Sequence, residues 1–125
     1  MGKLLYHAAA TGNWPAVTEL IVKGAPLEFQ AEHDSTTALH AAALRGQTFI
    51  VELLLRAGAS TAATDVIGAT PPHCAVYHEQ LDCVGLLLKG RANPNVWNAE
   101  GYRPIEVARD CGFGSIVELL ERASS

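Results

Sequence analysis

The chain repeats itself. Thr37-Ala38-Leu39-His40-Ala41-Ala42-Ala43 stands 33 residues before Thr70-Pro71-Pro72-His73-Cys74-Ala75-Val76, and Arg103-Pro104-Ile105-Glu106-Val107-Ala108-Arg109 follows 33 residues later. Lys3-Leu4-Leu5-Tyr6-His7-Ala8-Ala9 lies 34 residues before the first of these. A second element keeps phase with the first. It runs Ala16-Val17-Thr18-Glu19-Leu20-Ile21, then Ile50-Val51-Glu52-Leu53-Leu54-Leu55, Cys83-Val84-Gly85-Leu86-Leu87-Leu88 and Ile116-Val117-Glu118-Leu119-Leu120-Glu121. Units of this length are too small to bury an apolar face alone, so the chain must build its core by stacking neighbours.

Each copy reads as two helices. Thr37 and Thr70 are N-cap residues, and Pro71 and Pro104 suit a first helical position. A short Ala-rich helix follows, narrow enough for close neighbours, and it stops at Gly12, Gly46 or Gly112, where a positive φ is wanted. The second helix carries the Val/Leu stripe at i, i+3, i+4 spacing and ends at Gly24, Gly58 or Gly90. Two departures stand out. Glu79 occupies the place of the helix-ending glycine, which predicts left-handed strain there, and Pro72 inside a first turn predicts a slightly displaced third-repeat helix.

With a 33-residue period and a Thr-Pro-x-His start, the chain resembles the ankyrin-repeat family over essentially its whole length. The resemblance implies an all-α ankyrin-repeat solenoid of stacked helix-turn-helix pairs with short β-hairpin finger loops. It divides residues 1–125, as a single domain, into repeats at approximately 1–31, 32–64, 65–97 and 98–125, best matched at Glu32–Thr64 and Asp65–Trp97. The extra residue between the first two copies is expected in the loop Pro26–Asp34. His40 and His73 take the family's histidine position, a structural one that ties neighbouring repeats. The outer copies read as polar caps: Glu19 interrupts the first stripe, Glu106 replaces the histidine, and Glu121 replaces the last Leu. With Ser125 just beyond the fourth copy, a complete four-repeat protein is the expectation.

Charge and chemistry narrow the function. The formal net charge is -4 and no Lys/Arg cluster occurs, so a nucleic-acid partner is not expected. No apolar run approaches a membrane span, and the amino-terminal residues do not read as a secretory signal. Three cysteines without a CxxC read as free thiols in a reducing compartment, hence an intracellular protein, cytoplasmic or nuclear. His73, Cys74, His78 and Cys83 lie close in sequence, but their spacing is not that of a zinc site and the repeat already explains His73 and Cys83. No Gly-rich phosphate loop appears, and no nucleophile has a recognisable oxyanion site, so no catalytic residue, metal or cofactor is expected. Asn95, with Leu87 eight residues before it, resembles asparaginyl-hydroxylation sites of other ankyrin proteins, although turn stabilisation suffices to explain it.

What remains is recognition. The resemblance implies that finger tips and the exposed face of the first helices form a concave surface that binds a protein or an extended peptide, the chain being monomeric alone. Carried over copy by copy, the partner-binding positions are His33, Asp34, Thr36, Leu44 and Arg45, then Val66, Ile67, Ala69, Tyr77 and His78, then Trp97, Glu100, Tyr102 and Asp110. Apolar and aromatic groups at finger tips mark an interaction site, and the polar members give orientation at its rim. An adaptor or stoichiometric regulator is the leading expectation, and a subunit that assembles through the same patch is the alternative. Trp14, Phe49 and Phe113 are expected to cover the turns between paired helices.

Overall fold

The structure, a computed structural model, describes residues 1–124; Ser125, on which the expectation of a complete fourth copy rests, lies outside them. Eight helices follow in order: α1 (Gly2–Thr11), α2 (Trp14–Val22), α3 (Ala38–Leu44), α4 (Thr48–Ala57), α5 (Pro71–Tyr77), α6 (Leu81–Lys89), α7 (Pro104–Cys111) and α8 (Gly114–Ser124). Odd-numbered helices pack in one row, α1 on α3 on α5 on α7, and even-numbered ones in a second row, each pair closed by its own tight turn. The chain is thus an all-helical stack of four helix pairs. The core runs unbroken along the seam. Leu5, Val17, Leu39, Val51, Leu54, Val76, Val84, Leu87, Ala108, Ile116 and Leu120 are all buried in it. Fully burying such a branched side chain is worth about 1.5–3 kcal/mol, so the stripe supplies the bulk of the driving force.

The inner helices start as the sequence says they should. Thr37 and Thr70 stand at N-caps with extended backbone, and α5 and α7 open on proline. What orders neighbouring repeats is the third residue of α3, α5 and α7 and its counterpart in α1. The backbone N–H of Thr37 donates to Nδ1 of His40 at 3.1 Å, which places the ring proton on Nε2, and Nε2 then donates to the carbonyl of Ala69 at 2.9 Å. His73 repeats this with Thr70 at 3.1 Å and the carbonyl of Tyr102 at 2.9 Å. Tyr6 takes the position in the first repeat and reaches the next finger by its hydroxyl, 2.8 Å from Thr36 Oγ1. Glu106 takes it in the fourth and turns back, accepting from the Arg103 N–H at 2.8 Å and its Nε at 3.0 Å.

The fingers are tight turns; among the described residues none forms a β-strand. Asp65 N–H donates to Ala69 O and Gly68 N–H to Asp65 O, both at 3.0 Å, and Asn98, Gly101 and Tyr102 repeat the pattern. One backbone bond joins each finger to the next: Val66 N–H to Asp34 O and Ala99 N–H to Ile67 O, both 2.8 Å. A single rung per neighbour is too little for a ladder, so the expected hairpins are hydrogen-bonded turns instead. Gly68 is fixed twice over: its φ is 75°, and an added Cβ would sit 2.9 Å from the Ala99 backbone nitrogen. The first finger closes from Ala31 N–H to Thr36 O, five residues apart where the others span four. The inserted residue therefore lies within the tip, residues 32–35.

Three details refine the sequence expectations. Glu79 does adopt a left-handed φ of 54°. With Pro72 in its first turn, α5 still has the seven-residue length of α3 and the same 3.1 Å bond from cap N–H to ring. At the second helix position the backbone N–H is an orphan anyway, so proline costs no hydrogen bond. In the third repeat Gly90 has an ordinary φ of -80°, and Arg91 takes the left-handed turn at 69°. Arg91, not Gly90, is the counterpart of Gly24 and Gly58.

Glu79→Gly and Arg91→Gly should each stabilise the fold by about 0.5–1 kcal/mol in urea denaturation, relieving left-handed strain. Burial holds His40 and His73 below their ordinary pKa. Folded rings then bind protons more weakly than unfolded ones, so stability is full above about pH 6.5 and falls as the solution is acidified. Denaturation midpoints from pH 7.5 to 5.0 should show that loss, with a limiting slope of about 1.4 kcal/mol per pH unit for each histidine.

Candidate partner-binding surface

Two ends of the inner helices bound the surface. At the amino-terminal ends stand the finger tips, and at the carboxy-terminal ends Leu44, Arg45, Tyr77, His78 and Asp110. A seven-residue helix separates them by about 10 Å.

The fingers owe their shape to one side-chain oxygen each. Asp65 Oδ1 accepts from the N–H groups of Ile67 at 3.0 Å and Ala69 at 2.9 Å. Asn98 Oδ1 accepts from Glu100 at 3.0 Å and Tyr102 at 2.9 Å. Ala31 has no such group, and in the longer first finger Asp34 serves instead, accepting from the N–H of Thr36 at 3.1 Å and its hydroxyl at 2.8 Å. Desolvation alone would raise the Asp34 carboxyl, and the bonds from Thr36 outweigh it and hold it below its ordinary pKa. Asn98 also donates to the Tyr77 hydroxyl at 3.0 Å, which ties the third finger to the end of α5. Burial pushes the Tyr77 phenol up.

The predicted positions separate into three groups. His33, Asp34, Arg45, His78, Glu100 and Asp110 are exposed, as are Val66 at 67%, Ile67, Trp97 at 59% and Tyr102. Leu44 and Tyr77 are half-buried, with Leu44 accepting from Gln80 Nε2 through its carbonyl at 3.1 Å. Ala69 and Thr36 are buried and cannot present a side chain to a partner. Ala69 lies under the His40 ring that its carbonyl engages, and Thr36 is enclosed by Tyr6 and Asp34.

The structure brings Ile67, Asn98 and Tyr77 together through the Ala99–Ile67 and Asn98–Tyr77 bonds. The Arg103 guanidinium is stacked over the Trp97 ring, 4.8 Å from its centroid.

Sequence reasoning missed a cleft of about 610 Å³ beside the first finger, lined by Lys3, Tyr6, His7, Phe29 and residues 30–34. Tyr6 and Phe29 meet edge to face at 6.5 Å in it. The readable signals were Tyr6 in the histidine position and the lengthened finger. Trp14 and Phe49 form an edge-to-face pair at 5.5 Å on the outer row, both about half exposed, while Phe113 packs against the core.

Of the other chemical candidates, His73, Cys74 and Cys83 are buried in the fold. Burial pushes the thiols of Cys74 and Cys83 up to about 12 and about 11, so neither is a nucleophile at neutral pH. His73 is engaged on both ring nitrogens. Asn95 is exposed, its N–H donating to Asn93 Oδ1 at 2.9 Å. Among the described residues no helix is long and apolar enough to cross a membrane.

Stacked helix pairs, joined by turn-shaped fingers and tied by a ring-to-carbonyl bond, define a helical repeat protein built to present a surface. The family model for ankyrin repeats, three copies, matches residues 4–98, and the chain belongs to that family. Such repeats are protein–protein interaction modules. The chain is 39% identical over 71 residues to the human (Homo sapiens) ARF GTPase-activating protein GIT1, a match covering 57% of the chain and 9% of that protein. It is 40% identical over 89 residues to ankyrin repeat and SOCS box protein 10 of Mus musculus, covering 71% and 19%. Against diacylglycerol kinase zeta of Rattus norvegicus it is 41% identical over 69 residues, covering 54% and 7%. The chain thus spans less than a fifth of the length of each of these relatives.

Asn98→Ala should cost about 1–2 kcal/mol, since two backbone N–H groups lose their acceptor. Hydrogen exchange of the Glu100 and Tyr102 amides should quicken, while that of the Ile67 amide, held by Asp65, stays unchanged.

Proposed function

We propose that this ankyrin domain recognises a protein or an extended peptide through its finger tips and inner helices, acting as an adaptor or stoichiometric regulator and not as an enzyme. The observation that carries this reading is the exposure of Val66, Ile67, Trp97 and Tyr102 on turns whose backbone is already hydrogen-bonded. Large apolar groups on a loop have no core of their own to enter, and exposed ones mark contact sites. A preformed surface also loses little conformational entropy on binding, so a modest contact area suffices. His33, Asp34, Arg45, His78, Glu100 and Asp110 then form the polar rim, and Leu44 and Tyr77 the half-buried floor. The relatives differ in what their names say they do, while sharing with the chain only a stretch of 69 to 89 residues. That pattern favours recognition over a common chemistry.

The test is affinity capture from native lysate, analysed by mass spectrometry, with the wild-type chain and a Val66→Asp/Tyr102→Ala variant of equal helicity. A partner held by the first and lost by the second is the expected result. The same partner on both would place binding elsewhere on the molecule.

A further inference from the structure

The outer helices carry a break in the repeat that the fold does not require. α4 and α8 place Glu52 and Glu118 at one register, each four residues before an arginine, Arg56 and Arg122. At the same register α6 has Gly85, four residues before Lys89. Glycine is among the poorest residues for a helix interior. Gly85 is not among the positive-φ glycines, and an added Cβ would meet only Leu119 Cδ2, at an ordinary 3.9 Å. Neither backbone nor packing therefore calls for glycine.

What the missing side chain leaves is an open trough of about 660 Å³ along α6, between the ridges of α4 and α8. Its apolar surface is Leu81, more than a third exposed, with the half-buried Leu86 and Leu119. Charge is graded along it. Asp82 lies at the amino-terminal end, Glu52 and Glu118 flank the middle, and Lys89 and Arg122 stand at the carboxy-terminal end. Among the described residues Lys89 enters no ion pair.

We propose that this trough is a second docking site, distinct from the finger surface, for an amphipathic helix of a protein partner lying antiparallel to α6. Gly85 lets a small residue of that helix come close, as helices do when small side chains meet. Leu81, Leu86 and Leu119 receive its apolar stripe. Its first turn carries a carboxylate to Lys89, and its last turn carries basic residues to Asp82. That polarity agrees with the helix dipole, which favours acids at the amino terminus and bases at the carboxy terminus. The nine residues of α6 give a contact about 13 Å long, between two and three turns of the partner.

The experiment titrates the ¹⁵N-labelled full chain with a stapled helical peptide bearing Glu in its first turn, Ala at its centre, a Leu stripe, and Lys in its last turn. A charge-reversed isomer is the control. Saturable shifts at the amides of Leu81, Gly85, Lys89 and Leu119 are expected, with the isomer binding at least about tenfold more weakly. Gly85→Glu should abolish the shifts while melting at or above the wild-type temperature, since Glu is the better helix former. Lys89→Glu should weaken the first peptide and narrow the preference between the two, since Asp82 and Arg122 are unchanged. Absent saturation, equal affinity for both peptides, or indifference to Gly85→Glu would overturn the proposal. So would shifts confined to residues 66–67 and 98–102, an outcome that leaves the finger-surface reading standing.

Discussion

Everything in this solenoid hangs on one register of the inner helices, the third residue of α3, α5 and α7 and the fifth of α1. In the two central repeats it is a histidine whose ring receives the N–H of its own helix cap and hands its single proton to the carbonyl of the next finger. One neutral imidazole thereby starts a helix, orients a turn and sets the spacing of two repeats. A protonated ring would present a second proton toward the cap N–H and lose that bond, which is why burial in an apolar seam and the tautomer support one another. Tyr6 and Glu106 show the same position adapted to the two outer repeats. The tyrosine still reaches forward to the next finger, whereas the glutamate closes on its own cap.

From that contact the surface follows. The fingers gain little from one another, a single backbone bond between each neighbouring two, and their shape comes from Asp65, Asn98 and Asp34 below and the ring behind. Their tips are therefore free to carry side chains that serve no fold. Val66, Ile67 and Tyr102 are exposed there, and Arg103 stacks over the Trp97 ring. On the opposite row the freedom is of another kind. Helices α4, α6 and α8 must bury Val51, Val84, Ile116 and their partners, but their outer register is unconstrained, and there α6 has Gly85 where α4 and α8 have Glu52 and Glu118.

Much of this was legible in the residues. Period, caps, prolines and the alternation of Ala-rich and Leu-rich segments fix eight helices and their pairing, because those signals act locally and recur in phase. The strain at Glu79 was legible for the same reason. Other features were not. Ala69 and Thr36 read as surface because their register in the repeat is variable, yet the ring of His40 and the hydroxyl of Tyr6 cover them. Gly90 read as the helix stop because it is glycine, while the turn geometry assigned the left-handed place to Arg91. The cleft at Tyr6 and Phe29 depends on a loop one residue longer than its neighbours, and a length difference alone carries no shape. Long-range coverage and loop conformation are tertiary facts, and single-chain patterns do not contain them.

The most direct test of the ring-to-carbonyl tie is the ring ¹⁵N spectrum of His40 and His73 across a pH titration of the folded chain. The structure predicts a proton on Nε2 and a bare, accepting Nδ1 in both residues, unchanged down to the pH at which the whole chain unfolds. Either ring titrating freely near pH 6.5 in a chain that stays folded, or carrying its proton on Nδ1, would contradict the account.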